Sequence, residues 1–489
     1  MSVVESNAPR LALARNVGLA GLVATGISTM VGGAINVLPL MIYRSVPSLG
    51  DHVALAYAIA AIPAAIAALV YARLSACMPR AGGSYVYLSR SLHPFVGFVV
   101  SFGQWVGLSV ILGVVAYLLV PFLRDCVAIA SPAAAAQLAG SPLATLGLPL
   151  ASIWLFAIVS LTGNRAYAMT LVPLTVVMFG CALVVVVAGF GFDHADFLRA
   201  APPIASTPEQ GQTGTAFDLP AILAAAAVLF GSFVGFESIA QAGGEARRPQ
   251  RDLPRAILFA IAGVACFYIL FTVAVFHVVP WQYAAVAARE TDLTVPGLFS
   301  YVLSPTWAAI IAAGVVLSLL NHVPAMLLAV SRMLFAWAED GFVPKCFARV
   351  HPKRRTPDMA IIASAALASA GVLACHFAGD FFLGVDLLAT CMLLNFVLVC
   401  FAMLRLAMDP AKARAIGFER RGRHEAMVPV VGAVLLGALL VFHVARDLQS
   451  AAPAWYLRSS WVQLLVMAVA AALFAVRSRA GGITMSSGG

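Results

Sequence analysis

Charge is scarce in this sequence. Of 489 residues, 30 are Lys or Arg and 21 are Asp or Glu, so 10% are charged, where soluble domains carry about 25%. With 62% hydrophobic residues and a mean hydropathy of +0.95, there are too few polar side chains to cover a water-soluble globule of this size. A cytosolic enzyme, a secreted domain and a disordered chain are thereby excluded. The eight cysteines include no CxxC pair and no metal-ligand spacing with His, and most fall in apolar stretches. They read as small packing residues, and neither a metal nor a cofactor is expected. No basic domain exists either: the net charge of +9 is scattered through short segments between apolar runs, which argues against a nucleic-acid partner. The first fifteen residues are polar, and the apolar run after them is too long for a signal-peptide core, so the first span is expected to be retained.

What is present is a series of apolar runs, each near the 20 or so residues that cross a hydrocarbon core of about 30 Å. Uncharged runs lie between Arg15 and Arg44, His52 and Arg73, Arg90 and Arg124, Arg165 and Asp193, Arg255 and Arg289, and Asp358 and Asp380. Further apolar segments cover approximately 145–162, 218–242, 306–338, 385–404, 427–445 and 459–476. Twelve spans are predicted. With the N-terminus in the cytoplasm, 24 of the 30 basic residues fall on the cytoplasmic side and 6 outside, a strong positive-inside bias that predicts both termini inside. The expected layout is a cytoplasmic tail (1–15), a first half of five spans (16–192), an extracytoplasmic loop (193–217), a second half of five spans (218–405), a cytoplasmic loop (406–426), spans eleven and twelve (427–476) and a cytoplasmic tail (477–489). No segment is long enough for a soluble domain, so function is sought within the bundle.

Two spans are interrupted. The first crowds Gly26, Ser28, Thr29, Gly32, Gly33 and Asn36 into its middle, and the sixth does the same with Gly231, Ser232, Gly235 and Ser238. Glycine costs about 1 kcal/mol in a helix interior, so such clusters mean either tight helix crossing or an unwound segment. Spans one and six occupy corresponding places in two five-span halves, and that pairing favours unwinding at a binding site of an inverted-repeat transporter. Amide groups at the start of a half-helix suit an anion and the carbonyls of a broken end suit a cation, a combination fitted to a zwitterion.

Glu237 is the one acid well inside a span, a functional candidate against the plainer reading of a protonated side chain bonded to a neighbouring helix. Span eight carries Asn321, His322 and Pro324 near its centre. His322 either titrates near neutral pH or packs with its ring bonded to a carbonyl. Gln104 beside Trp105 either reads a substrate or bridges helices, and Arg332 lies towards the cytoplasmic part of span eight.

Three motifs in order then resemble the signature of the amino acid/polyamine/organocation permeases. They are Pro79 to Tyr87 with Gly82, Gly83 and Tyr85; Phe233 to Ser238 with Gly243, Gly244, Glu245, Pro249, Asp252, Pro254 and Arg255; and Ser331 to Lys345 with Arg332, Asp340, Gly341 and Pro344, followed by His351 and Thr356. The resemblance covers residues 16 to about 405. It implies an all-α membrane protein of twelve transmembrane helices, a 5+5 inverted-repeat, broken-helix transporter core with two peripheral helices, working by alternating access. By similarity, the backbone of Gly32, Gly33 and Ala34 would hold a substrate carboxylate, and the carbonyls of Met30, Gly231 and Val234 its amine. Gln104 and Met326 fall where relatives place side-chain contacts, and Gly235, Phe236 and Glu237 adjoin the unwound stretch. The family's aromatic gate aligns with Gly231, which would leave that part to Phe230 or Phe233.

The sequence departs from the family at Gly32-Gly33-Ala34, where Gly-Ser-Gly or Gly-Ala-Gly is usual, and at Asn36, where an apolar residue is common. Met178 stands where some proton-coupled relatives carry a lysine, and span eight lacks the paired hydroxyls of sodium-coupled ones. The expected activity is secondary transport of an amino acid or related amine across the plasma (inner) membrane, with Glu237 or His322 as proton-coupling candidates. A polyamine or cationic amino acid exchanger is the second expectation, a non-transporting amine sensor a third. The expected partners are the bilayer, a small-molecule substrate and protons; an enzyme is not expected, since no nucleophile, base and oxyanion set occurs at usable spacing.

Overall fold

In lipid every backbone polar group must find its partner within the protein, and a continuous helix does this residue by residue. The computed structural model describes residues 13–203, 217–378, 382–419, 422, 424–449 and 458–479. Residues 1–12 and 480–489 of the expected tails (1–15 and 477–489) and most of the loop 193–217 lie outside the described residues. Among those described the chain is helical, with no strand and two isolated backbone bridges.

Fifteen helices matter here, in chain order: α1 (Leu19–Met30), α2 (Leu38–Ser45), α3 (Val53–Cys77), α4 (Ser84–Ser91), α5 (Pro94–Ala130), α6 (Pro142–Thr162), α7 (Asn164–Gly191), α8 (Leu219–Leu229), α9 (Ser238–Gln241), α10 (Pro249–Val278), α11 (Pro305–Glu339), α12 (Asp358–Ala378), α13 (Phe382–Met408), α14 (His424–Gln449) and α15 (Ser459–Arg479). Among the described residues eleven segments are long and apolar enough to cross a membrane. The first expected span differs from a continuous helix. It is a 12-residue apolar helix, α1, followed by an irregular stretch and then α2, as fits the weak helix preference of glycines 32 and 33.

The packing places these two interrupted segments at the centre. α1 lies against α7, α10 and α11; α3 packs along α10; and α5 packs against α11, α12 and α13. α14 and α15 pack on α13 and leave large apolar side chains exposed, Val434, Val441, Leu464 and Val476 among them, as a lipid-facing layer does. Close crossings rest on glycine. A Cβ at Gly113 of α5 would lie 2.6 Å from the Ala368 carbonyl oxygen and 2.7 Å from the Val372 nitrogen of α12, so the two backbones approach to a distance that no side chain allows.

Gly113→Val is therefore expected to lower stability by about 1–3 kcal/mol, as overpacking does, whereas Gly437→Val in α14, where a Cβ meets nothing within 4 Å, is not. Thermal melting of the two purified variants side by side checks the difference.

Candidate functional site

Each break leaves carbonyls and N–H groups that a helix would have paired. α1 ends at Met30, and a 310 turn follows at Gly33–Asn36 before α2 begins. α8 ends at Leu229, runs through a 310 turn at Phe230–Phe233 and turns at Gly235, whose φ of +137° is a conformation that glycine adopts freely. Helix resumes at Ser238 in α9. The two breaks touch. A Cβ on Gly235 would sit 2.6 Å from the Thr29 carbonyl carbon and oxygen and 2.8 Å from the Met30 nitrogen. Thr29 Oγ1 is 2.7 Å from the Gly235 carbonyl oxygen, to which it can donate, and 2.9 Å from Ser238 Oγ.

Side chains of neighbouring spans supply the remaining partners. The Tyr268 hydroxyl of α10 is shared between the Met30 carbonyl (2.8 Å) and the Ser232 carbonyl (3.1 Å), so one phenol joins both breaks. From α11, Ser318 Oγ donates to the Val31 carbonyl (3.1 Å), and the His322 ring lies 2.8 Å by Nδ1 from the Ser28 carbonyl. A carbonyl only accepts, so this bond requires the proton on Nδ1. Asn321 Nδ2 donates to Ser28 Oγ (2.7 Å) and to Thr175 Oγ1 of α7 (3.0 Å). The buried Glu237 carboxyl accepts the Gly235 N–H at 2.8 Å.

The residues singled out from the sequence divide into groups. Met30, Gly32, Gly33, Ala34, Gly231, Val234, Gly235 and Glu237 fall at the breaks, and His322 lies against them, its Nδ1 3.3 Å from where a Gly32 Cβ would be. Of residues 30–36 Ala34 alone is exposed, and of residues 230–237 all but Gly231 are buried. A Cβ at Gly231 meets nothing within 4 Å, whereas one at Gly33 would be 2.9 Å from Leu319 Cδ2. Open space thus adjoins Ala34 and Gly231, and the first N–H groups of the Gly33–Asn36 turn have no partner within it.

Phe233 packs against Tyr268 and Tyr57, while Phe236 stacks on Phe396 (ring centroids 5.3 Å apart) and meets the edge of Tyr71. Gln104 bridges helices: its Oε1 accepts from Ser84 Oγ of α4 at 2.6 Å. Met326 is buried in α11. Asn36 lines a small cavity with Met178, Phe271 and Ser318, a group that includes neither Gln104 nor Met326. Met178 is not the α7 residue that bonds across to α1 and α11; that is Thr175, one turn earlier. Tyr268, Ser318 and Thr175 escaped the sequence reading. A lone phenol in the apolar run Val264 to Phe271 was the one available signal for Tyr268.

The three signature motifs converge at the end of the bundle where residues 13–18 lie. Arg332 reaches Glu245 Oε1 by Nε (2.7 Å) and a terminal nitrogen (2.5 Å), with both side chains buried. The Glu245 carbonyl accepts from the Val17 N–H (3.0 Å), the Val17 carbonyl accepts from the Arg247 N–H (2.9 Å), and Arg247 Nε donates to the Asn16 carbonyl. Buried Asp340 accepts from the Tyr85 hydroxyl (2.6 Å) and pairs with Arg90 (3.4 Å). Gly82, at φ +103°, lies against Ala336, and its N–H donates to the Gln241 carbonyl. Parts of α4, α9, α11 and the segment before α1 are therefore closed into one unit, in which Glu245 and Asp340 each pair with an arginine.

A buried pair broken on one side leaves an uncompensated charge, which costs about 3–5 kcal/mol, whereas replacing both partners by apolar groups is near neutral. Arg332→Met alone or Glu245→Met alone should destabilise the protein severely and the double variant much less. A thermal-melt comparison of the three checks this; equal losses in all would contradict it.

A family model described as amino acid permease matches residues 17–475. Over 88% of its length the chain is 28% identical to an uncharacterized transporter of Mycobacterium tuberculosis, covering 86% of that protein. It is 27% identical to the vacuolar cationic amino acid transporter 4 of Arabidopsis thaliana over 73% of this chain and 58% of that one. It is 23% identical to the methylthioribose transporter of Bacillus subtilis over 73% and 74%.

Proposed function

The chain belongs to the amino acid permease family, and from that premise we propose that it is a secondary transporter that carries an amino acid or related amine-bearing solute through the broken middles of its first and sixth spans by alternating access. It is a multi-pass membrane protein and a transporter by family, not an enzyme. The observation that carries the finer reading is the contact between the two breaks at Thr29 and Gly235, with open space beside Ala34 and Gly231. In this reading the N–H groups of the turn starting at Gly33 receive the substrate carboxylate, aided by the half-helix dipole of α2. The carbonyls of Met30, Gly231 and Val234 face its amine, and Phe233 fills the aromatic role beside Gly231. The ion-paired unit around Glu245 and Asp340 acts as a latch that closes the path through the bundle on the cytoplasmic side of the plasma membrane, where both termini lie.

Glu237 accepts a backbone N–H of the very turn that forms the break, so gain or loss of its proton changes how firmly that turn is held. It is the proposed coupling group. His322 is committed through Nδ1 to the Ser28 carbonyl, which favours a structural role over proton transfer. A second reading, a cationic amino acid exchanger, is favoured by the similarity to the Arabidopsis transporter.

Gly235→Val is expected to abolish uptake into proteoliposomes while the protein still inserts, and Gly33→Leu to do the same through Leu319. Normal uptake by both variants would refute the site. Glu237→Gln is expected to flatten the pH profile of uptake; an unchanged profile leaves Glu237 no part in coupling. Uptake driven by an imposed pH gradient, with no substrate inside, would exclude the pure exchanger.

A further inference from the structure

α10 carries the charges and the apolar surface of a lipid molecule in complementary order. Arg248, the residue capping the helix, and Arg251 and Arg255 are exposed and, at spacings of three and four, share one face. The same face continues into exposed Leu258, Phe259, Leu270 and Val273. The arginines span about 10 Å of helix, comparable with a headgroup layer of about 5–8 Å, and the 21 residues from Leu258 to Val278 rise about 30 Å, the hydrocarbon thickness.

Among the described residues no carboxylate forms an ion pair with Arg248, Arg251 or Arg255, in contrast to Arg73, Arg90 and Arg332, which are paired with Glu425, Asp340 and Glu245. Half-buried Asp252 is the acid on that turn and leaves the face cationic. Positive-inside topology accounts for basic residues at this end of the bundle. It does not require three guanidinium groups aligned above one lipid-facing stripe, which is the arrangement that grips a phosphate with forked donors.

We propose that the face of α10 bearing Arg248, Arg251 and Arg255 binds the phosphate headgroup of an anionic phospholipid, whose acyl chains lie along Leu258, Phe259, Leu270 and Val273. The headgroup sits beside Arg247, whose side chain holds the Asn16 carbonyl, so the lipid lies next to the segment that enters the latch.

The test counts lipid retained by the whole chain after extraction, by native mass spectrometry, from vesicles of phosphatidylcholine with one third phosphatidylglycerol. The wild type should retain phosphatidylglycerol in preference to phosphatidylcholine. Arg248→Gln/Arg251→Gln/Arg255→Gln should lose that preference, since each basic residue at an anionic surface contributes about fivefold in affinity, while Arg477→Gln/Arg479→Gln at the end of α15 should keep it. If the triple variant does not accumulate, each single substitution should weaken retention about fivefold. No preference in the wild type, or the same preference in the α10 variants, overturns the proposal. Because retention does not depend on transport, this outcome is independent of the substrate reading.

Discussion

Two apolar segments are broken part-way along their length, and a broken helix in hydrocarbon exposes backbone that cannot be left unpaired. Everything at the centre of the molecule follows from that debt of hydrogen bonds. Tyr268, Ser318 and His322 each place a polar side-chain atom on a carbonyl of the first break, Thr29 meets the carbonyl of the second, and Glu237 takes one of its N–H groups. Spans seven and eight are thus tied to the breaks by polar contacts within an otherwise apolar interior. Such contacts are directional, so they set where the two breaks sit relative to each other in a way that side-chain packing alone does not.

At the basic end the logic changes from backbone to charge. Glu245 serves twice: its carbonyl pairs with the segment before α1 and its carboxylate with Arg332. Asp340 ties the end of α11 to α4 through Tyr85 and Arg90. The family's three sequence signatures are, in space, adjoining pieces of one closure. Gly82 and Gly83 are glycine because positive φ and the nearness of Ala336 and Gln241 leave no room for a side chain.

Much of this was legible in the sequence. Apolar run length located the spans, and the clustered glycines located both interruptions to within a few residues, since a hydrophobic pattern and a helix-breaking residue are local properties. Glu237 stood out because an acid in an apolar run is conspicuous. What escaped was pairing at long range. Arg332 was visible as a charge in span eight, but its partner Glu245 lies in another motif, and no spacing relates the two. Asn36 and Gln104 illustrate the same limit: composition marks an amide as notable, while the direction in which it points depends on helices far along the chain. Tyr268 was overlooked because a tyrosine in an apolar span is ordinary until the carbonyls it bridges are known.

The sequence separations of these contacts bear on the order of assembly. Thr29 and Gly235 lie 206 positions apart, Met30 and Tyr268 238, and Ser28 and His322 294. During synthesis the first span therefore enters the bilayer with carbonyls whose permanent partners have not yet left the ribosome. It has to spend that interval as a regular helix, or with water or lipid headgroups as temporary partners, and acquires its broken shape only after span eight arrives. The feature that makes the centre of the molecule specific is thus also a late one to form, and a chain that stalls before residue 322 holds a first span with no reason to stay unwound.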